Sequence, residues 1–64
     1  MASVIGSVVG ATPRRLHAET VGEVRDQLAI ADTYTAMVNG EPADDNTLLD
    51  EENFVSFSPA VKGG

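Results

Sequence analysis

Cysteine is absent from this chain. That removes disulfides, thiolate metal sites and cysteine nucleophiles together. Any sulfur the protein handles must sit on some other group. Long hydrophobic runs are missing as well. The apolar stretch from Val4 to Val9 is broken by Gly6 and Ser7 and is far too short to span a bilayer. The first residues, Met1-Ala2-Ser3-Val4, lack the basic and long apolar regions of a signal peptide, so a cytoplasmic location is the expectation. Basic charge is scarce: four basic residues stand against ten acidic ones, for a net charge of −6. Such a surface repels nucleic-acid phosphates and anionic lipids and suits a protein partner with a basic docking face. Neither nucleic acid nor a membrane is an expected partner. The single histidine, His17, has no nucleophile or second ligand near it in sequence and reads as a surface strand residue. No acid–base pair, nucleophile–base pair or metal-ligand spacing appears, which argues against an enzyme in its own right.

The chain has 64 residues, enough for one domain that buries roughly 60% of its unfolded surface. There is room for one helix on one small sheet and none for a deep cleft between domains. Ser3 to Val9 is rich in β-branched residues and reads as a strand covered on part of both faces. Gly10-Ala11-Thr12-Pro13 is a turn, and Arg14 to Ala18 a second strand with Leu16 and Ala18 on one side. Thr20 and Glu23 fit a capping box, the Thr20 hydroxyl accepting from the Glu23 N–H and the Glu23 carboxylate from the Thr20 N–H. An apolar stripe at Val21, Val24, Leu28 and Ala31 predicts a helix from Val21 to Ala29, with Glu23, Arg25, Asp26 and Gln27 on its polar side.

Thr35 to Val38 reads as a third strand. Asn39-Gly40 is a strong hairpin signal because both residues tolerate positive φ. Glu41-Pro42-Ala43 is a short return strand that Pro42 confines to an edge. The polar connection from Asp44 to Asn53 carries Leu48 and Leu49, at least one of which should plug the core. Its acidic runs, Asp44-Asp45 and Asp50-Glu51-Glu52, read as solvated loop surface. Phe54 to Ala60 is the last strand, with Val55 and Phe57 facing inward and Phe54, Ser56 and Ser58 outward. The right-handed crossover rule has the helix bring the chain back parallel to the first strand, with the last strand beside it. The expected fold is α+β, a β-grasp: a mixed four- to five-stranded sheet with one main helix across one face. The expected division is a domain over 1–61 and a tail over 62–64.

The sequence closes on Pro59-Ala60-Val61-Lys62-Gly63-Gly64. Two glycines without Cβ can thread a channel that any side chain would block. Read alone, a Gly-Gly end is also what a frayed terminus looks like. The surrounding motifs separate the two readings. Val38-Asn39-Gly40-Glu41, Thr47-Leu48-Leu49 and Val55-Ser56-Phe57-Ser58-Pro59-Ala60-Val61-Lys62-Gly63-Gly64, in register, resemble the ubiquitin-like β-grasp sulfur-carrier family. That family takes in the ThiS/MoaD-like carriers and the archaeal small modifier proteins. The resemblance covers residues 20–64 well and the first hairpin by shape. One departure is the turn before the last strand. The family has an Asp-Gly-Asp-like sequence there, and this chain has Glu51-Glu52-Asn53, where Asn53 is expected to take the left-handed conformation.

The resemblance implies a mechanism. An E1-like adenylating enzyme, which itself binds ATP and magnesium, receives the Gly63-Gly64 tail and adenylates the Gly64 carboxylate. A persulfide donor protein then converts Gly64 to a thiocarboxylate, which delivers sulfur to a molybdopterin or thiamine precursor or to a tRNA base. In the modifier branch a target-protein lysine attacks instead and an isopeptide bond forms. The chain itself binds no cofactor; it is a substrate of the activating enzyme or a non-catalytic subunit of a larger synthase. Gly64 is then the reactive group, and Gly63, Lys62, Val61, Ala60, Pro59 and Ser58 present it. Lys62 either helps hold the tail against the activating enzyme or is an ordinary solvated lysine. Phe54 either extends a partner-binding patch or packs on the hairpin. A non-covalent β-grasp binding module is the remaining alternative. The short length looks more like the thiamine carrier, and Phe57 to Val61 more like the molybdopterin subunit.

Overall fold

Alternation of small and β-branched residues makes Ala2–Val8 the first strand, β1, with Ala2 and Val4 buried. It turns through Gly10, whose φ of 85° only glycine adopts at no cost, into β2, Arg14–Ala18. The helix α1 spans Val21–Leu28. Then come β3 at Tyr34–Val38, β4 at Glu41–Ala43 and β5 at Phe54–Pro59. The structure, a computed structural model, describes residues 1–59. The expected tail and the end of the last strand, Ala60 to Gly64, lie outside the described residues. The five strands form one mixed sheet in the order β2-β1-β5-β3-β4. This is the β-grasp expected from the sequence.

Strand directions differ from expectation in one respect. β5 pairs parallel with β1, while β3 pairs antiparallel with β5. β3 therefore runs antiparallel to β1 and parallel to β2, since β1 and β2 are themselves antiparallel. The helix does not return the chain parallel to the first strand. The right-handed crossover unit is β2-α1-β3, and β1 and β5 fill the gap between its two strands.

The core lies between the helix and one sheet face. Val4, Ala18, Val21, Val24 and Val55 are fully buried, and Phe57 and Ala36 nearly so. Leu49 plugs the end of this core while Leu48 stays 75% exposed. Gly6 belongs to the packed layer: a Cβ there would stand 2.8 Å from Leu16 Cδ1 and 3.0 Å from Leu28 Cδ1. The Asn39-Gly40 turn takes φ of 52° and 88°, the double positive that a two-residue hairpin loop of this hand requires. Pro42 sits in β4, at the sheet edge.

The helix ends depart from the simple reading. The Thr20 hydroxyl accepts from the Glu23 N–H at 3.3 Å as expected, but the Glu23 carboxylate accepts from the Glu19 N–H at 2.9 Å, not from Thr20. The next helical N–H groups are taken by the 44–47 loop, Val21 donating to the Thr47 carbonyl and Gly22 to the Asp45 carbonyl. Gly22 allows that approach, because a Cβ would lie 3.1 Å from the Asp45 oxygen. At the other end the helix stops at Leu28, one residue early. Ala29 takes φ of 55°, and the Ile30 and Ala29 N–H groups donate to the Arg25 and Asp26 carbonyls. This is a Schellman closure with alanine where glycine is usual. Ala31, expected on the helix stripe, falls beyond it and is exposed.

Arg25 is not on the polar side. It is 8% exposed, and its guanidinium donates to Asp45 Oδ1 at 3.0 Å, the Ala31 carbonyl at 2.7 Å and the Tyr34 carbonyl at 3.1 Å. Its carbon lies 5.2 Å from the Phe57 ring centroid, a cation–π distance. Three polar contacts and one aromatic face account for its burial, since a buried charge is tolerated only when its hydrogen bonds are met. In the turn before β5 the left-handed residue is Glu52, with φ of 67°, not Asn53. Asn53 is held instead by its side chain, whose Oδ1 accepts from the Asp50 N–H at 2.8 Å. That leaves the middle of the turn, where the family has glycine, to absorb the positive φ.

Two consequences are measurable by urea unfolding. Arg25→Ala should cost about 2–4 kcal/mol, because two inward-facing carbonyls lose a charged donor. Asp45→Ala should cost under about 1 kcal/mol, its own carboxylate being half-exposed and screened. Ala29→Gly and Glu52→Gly should each stabilise by about 0.5–1 kcal/mol by relieving left-handed backbone. A loss of stability in both glycine variants would contradict the assigned turns.

Candidate functional site: the end of the central strand and the open sheet face

β5 is the middle strand of the sheet, paired parallel with β1 on one edge and antiparallel with β3 on the other. Its path is fixed along its length. Ser58 and Pro59 pair with Thr35 and Tyr34, and the Val9 N–H donates to the Phe57 carbonyl at 3.1 Å. Inward, Val55 and Phe57 are anchored in the core at 0% and 1% exposure. A chain leaving Pro59 therefore leaves from a rigid point. Beside that point, on the helix side, is a shallow hollow of about 280 Å³ lined by Val8, Leu28, Ala29, Ile30, Ala31 and Tyr34.

The sheet face opposite the helix follows from the register. Ile5 pairs with Phe54, Ser7 with Ser56, Met37 with both Ser56 and Pro42, and Thr35 with Ser58. These residues share the outer face by strand alternation. Ile5, Phe54, Met37 and Pro42 form an apolar band across it. Ser7, Ser56, Ser58 and Thr35 form a hydroxyl lane on the side where β5 ends. The Phe54 backbone is clamped to the hairpin turn: its N–H donates to Asn39 Oδ1 at 2.8 Å, and the Asn39 N–H donates to its carbonyl at 2.7 Å. Its ring remains within a residue 41% exposed. The backbone is tied to the hairpin and the side chain is open to solvent.

Of the site residues expected from sequence, Ser58, Pro59 and Phe54 are described. Ser58 and Pro59 stand together at the exit. Phe54 stands at the other end of the same strand, about 16 Å away at 3.3 Å per residue. The remaining five, Ala60, Val61, Lys62, Gly63 and Gly64, lie outside the described residues. Sequence reasoning did not single out Ile5 and Met37, which join Phe54 only through the strand order. The available signal was alternation in β3, where Met37 stands between inward Ala36 and Val38. Asn39 was read only as a turn residue, yet its side chain also fixes the start of β5.

His17 is an exposed residue of β2, whose carbonyl accepts from Gln27 Nε2 at 2.7 Å. Two of the loop acids accept backbone N–H groups. Asp44 Oδ1 accepts from the Asn46 N–H, and Glu51 Oε2 from the Ser3 N–H. Among the described residues no group of three or more His, Cys, Asp or Glu side chains could hold a metal ion, and no helix is long and apolar enough to cross a membrane.

No protein-family model matches the chain, and no curated protein matches it in sequence. Among solved structures, it is similar to a chain in the protein–protein complex of subunits 1 and 2 of molybdopterin-converting factor from Helicobacter pylori 26695. The TM-score is 0.72 at 21% identity, over 95% of this chain and 97% of that one. At that identity the likeness establishes the fold, a complete β-grasp of matching length.

The two phenylalanines of β5 should behave oppositely. Phe57→Ala should destabilise by about 3–5 kcal/mol, while Phe54→Ala should stay within about 1 kcal/mol of the parent, as an exposed side chain does. Thermal unfolding of the two variants checks this. A large loss in Phe54→Ala would mean that its ring is structural.

Proposed function

We propose that this chain is a sulfur carrier whose working group is the acyl carbon of Gly64. The observation that carries the reading is the architecture of β5. A strand fixed on both edges and anchored by Val55 and Phe57 runs directly into Pro59-Ala60-Val61-Lys62-Gly63-Gly64. The likeness in fold to a molybdopterin-converting factor chain supports it.

The chemistry follows from what a carboxylate lacks. It has no leaving group better than oxide, so it must be activated. One carboxylate oxygen of Gly64 attacks the α-phosphorus of ATP on an E1-like enzyme, and pyrophosphate departs. The terminal sulfur of a persulfide then attacks the acyl carbon, and AMP departs. A thiol cleaves the resulting acyl disulfide and leaves a thiocarboxylate on Gly64. ATP, magnesium and the persulfide belong to the partners. This chain contributes the acyl end and a docking surface.

The outer face is the surface proposed for docking. The H. pylori neighbour is a complex of two subunits, and in this chain the apolar band of Ile5, Phe54, Met37 and Pro42 suits the centre of such an interface. An aromatic and a methionine among apolar neighbours are what interface cores favour. The hydroxyl lane between the band and the exit suits a contact that forms and parts repeatedly, as carriage between partners requires.

Co-expression with an activating enzyme and a persulfide source should give a species about 16 mass units heavier, one oxygen replaced by sulfur at the C-terminal carbonyl. Intact-mass spectrometry reads both that species and the actual C-terminus of the mature chain. Deleting Gly63-Gly64 should abolish it. Phe54→Ala combined with Met37→Ser should weaken partner binding by about tenfold or more while the fold persists. Lysine-linked Gly-Gly remnants on other proteins, with no thiocarboxylate, would favour the modifier chemistry instead. Unmodified protein with neither product would overturn the acyl-carrier reading.

A further inference from the structure

The second feature is an edge. Of the arginines, Arg25 is buried, while Arg14 and Arg15 are both exposed and both on β2. The exposed arginine side chains of the described residues are thus gathered on one strand of a protein with net charge −6. β2 is also a terminal strand of the sheet. The opposite terminal strand, β4, is three residues long and contains Pro42, which blunts it. β2 has five residues and no proline.

The direction of its free backbone groups follows from its partner. The Ser3 N–H donates to Glu51 and its carbonyl accepts from Glu52, while the Ile5 N–H donates to Asn53. Ser3 and Ile5 therefore point their backbone groups away from β2. They pair with His17 and Arg15, so in the antiparallel alternation His17 and Arg15 point theirs outward, off the sheet. One of these groups is already occupied: the His17 carbonyl accepts Gln27 Nε2 at 2.7 Å. A side-chain amide stands where the N–H of another strand would.

We propose that the free edge of β2 is a second docking site, which takes an extended acidic segment of another protein as an added strand. Residues of that segment opposite Arg15 and His17 share the outer face with them. The residue between lies on the helix side, against the half-buried Leu16. The fitting pattern is acidic, apolar, acidic. Arg14 forms no ion pair among the described residues. Arg15 is held only by Ser3 Oγ at 2.7 Å and by exposed Glu52 at 3.3 Å, contacts that a partner carboxylate replaces. On the helix, the Glu23 carboxylate is engaged by the Glu19 N–H. A second copy of the chain is a poor occupant, since β2 carries no acidic residue to meet its own arginines. Two strands separate this edge from β3, and the end of β5 stays free when it is filled.

The test uses the full chain, labelled with nitrogen-15, and a short peptide alternating glutamate and valine. Its glutamine–valine counterpart and a single-stranded oligonucleotide are the controls. The acidic peptide should shift the amide signals of Arg14 to Ala18 and the Gln27 side-chain amide. It should also slow hydrogen exchange at the Arg15 and His17 N–H groups. R14E/R15E should weaken it by about tenfold or more, as loss of charge complementarity does; R14Q/R15Q serves if that variant does not fold. E52Q should tighten it by about two- to fivefold by freeing Arg15 from an exposed pair. The proposal is overturned by equal binding of the glutamine peptide, by shifts centred on Phe54 and Met37, by tighter binding of the oligonucleotide at the same amides, or by no shifts at millimolar peptide. Because peptide binding is read on the protein alone, the result is independent of any chemistry at Gly64.

Discussion

One buried guanidinium holds this small fold together. Arg25 links the helix to the 44–47 loop through Asp45, to the helix exit through the Ala31 carbonyl and to the start of β3 through the Tyr34 carbonyl. It does so over the ring of Phe57, in the central strand. A chain of 64 residues has a core too small to orient its connections by apolar burial alone. Directional bonds from a planar, multiply donating group do that work. The ion pair with Asp45 is the weaker part, because the Asp45 side chain is 51% exposed and water screens it. The inward carbonyls depend on Arg25 more than Arg25 depends on Asp45.

That arrangement bears on β5. Phe57 is pressed between the sheet and the guanidinium, and Val55 beneath the helix, so the strand cannot slide in register without exposing both. The Asn39 side chain pins its start and the pairing with Tyr34 its end. The helix N-terminus is closed by backbone carbonyls of the 44–47 loop and not by a side-chain capping box alone. The long connection that leads to β5 is thus braced on the same helix whose Arg25 covers β5. Position at the exit is therefore set by the whole domain and not by local strand pairing alone.

Much of this was legible in the sequence, for identifiable reasons. Asn39-Gly40, the valine-rich first strand, the Val21 and Val24 stripe and the Val55 and Phe57 alternation are local signals with local causes. The β-grasp followed from their order. What was missed depends on partners distant in sequence. Periodicity assigns an arginine to the polar face, and Arg25 is buried because carbonyls from 31 and 34 and a carboxylate from 45 happen to converge on it. Glu52, not Asn53, takes the positive φ because the Asn53 side chain is committed to Asp50. The direction of β3 was misjudged because the crossover rule fixes the hand of a unit, not which strand the unit starts from. The outer apolar band was invisible for the same reason, since Ile5, Met37 and Phe54 are neighbours only once β5 lies between β1 and β3. Among the candidate residues, Ser58 and Pro59 were readable as a strand end and Phe54 as an outward residue, whereas the placing of Ile5 and Met37 beside Phe54 required the register.

The proposed function divides the labour between this chain and its partners. In the proposed carrier function, adenylation, loading and unloading of Gly64 are carried out by groups on other proteins. On that proposal the packed body has two tasks, to hold one strand end still and to offer surfaces that partners tell apart. These surfaces differ in kind. The outer face offers an apolar band with a hydroxyl margin, and the β2 edge offers backbone groups and the exposed arginine charge. Part of the acidic surplus is held in backbone bonds, Asp44 within its own turn and Glu51 across to the Ser3 N–H. Negative charge therefore surrounds the two arginines without neutralising Arg14, and a partner that reads charge can distinguish one edge of this molecule from every other side.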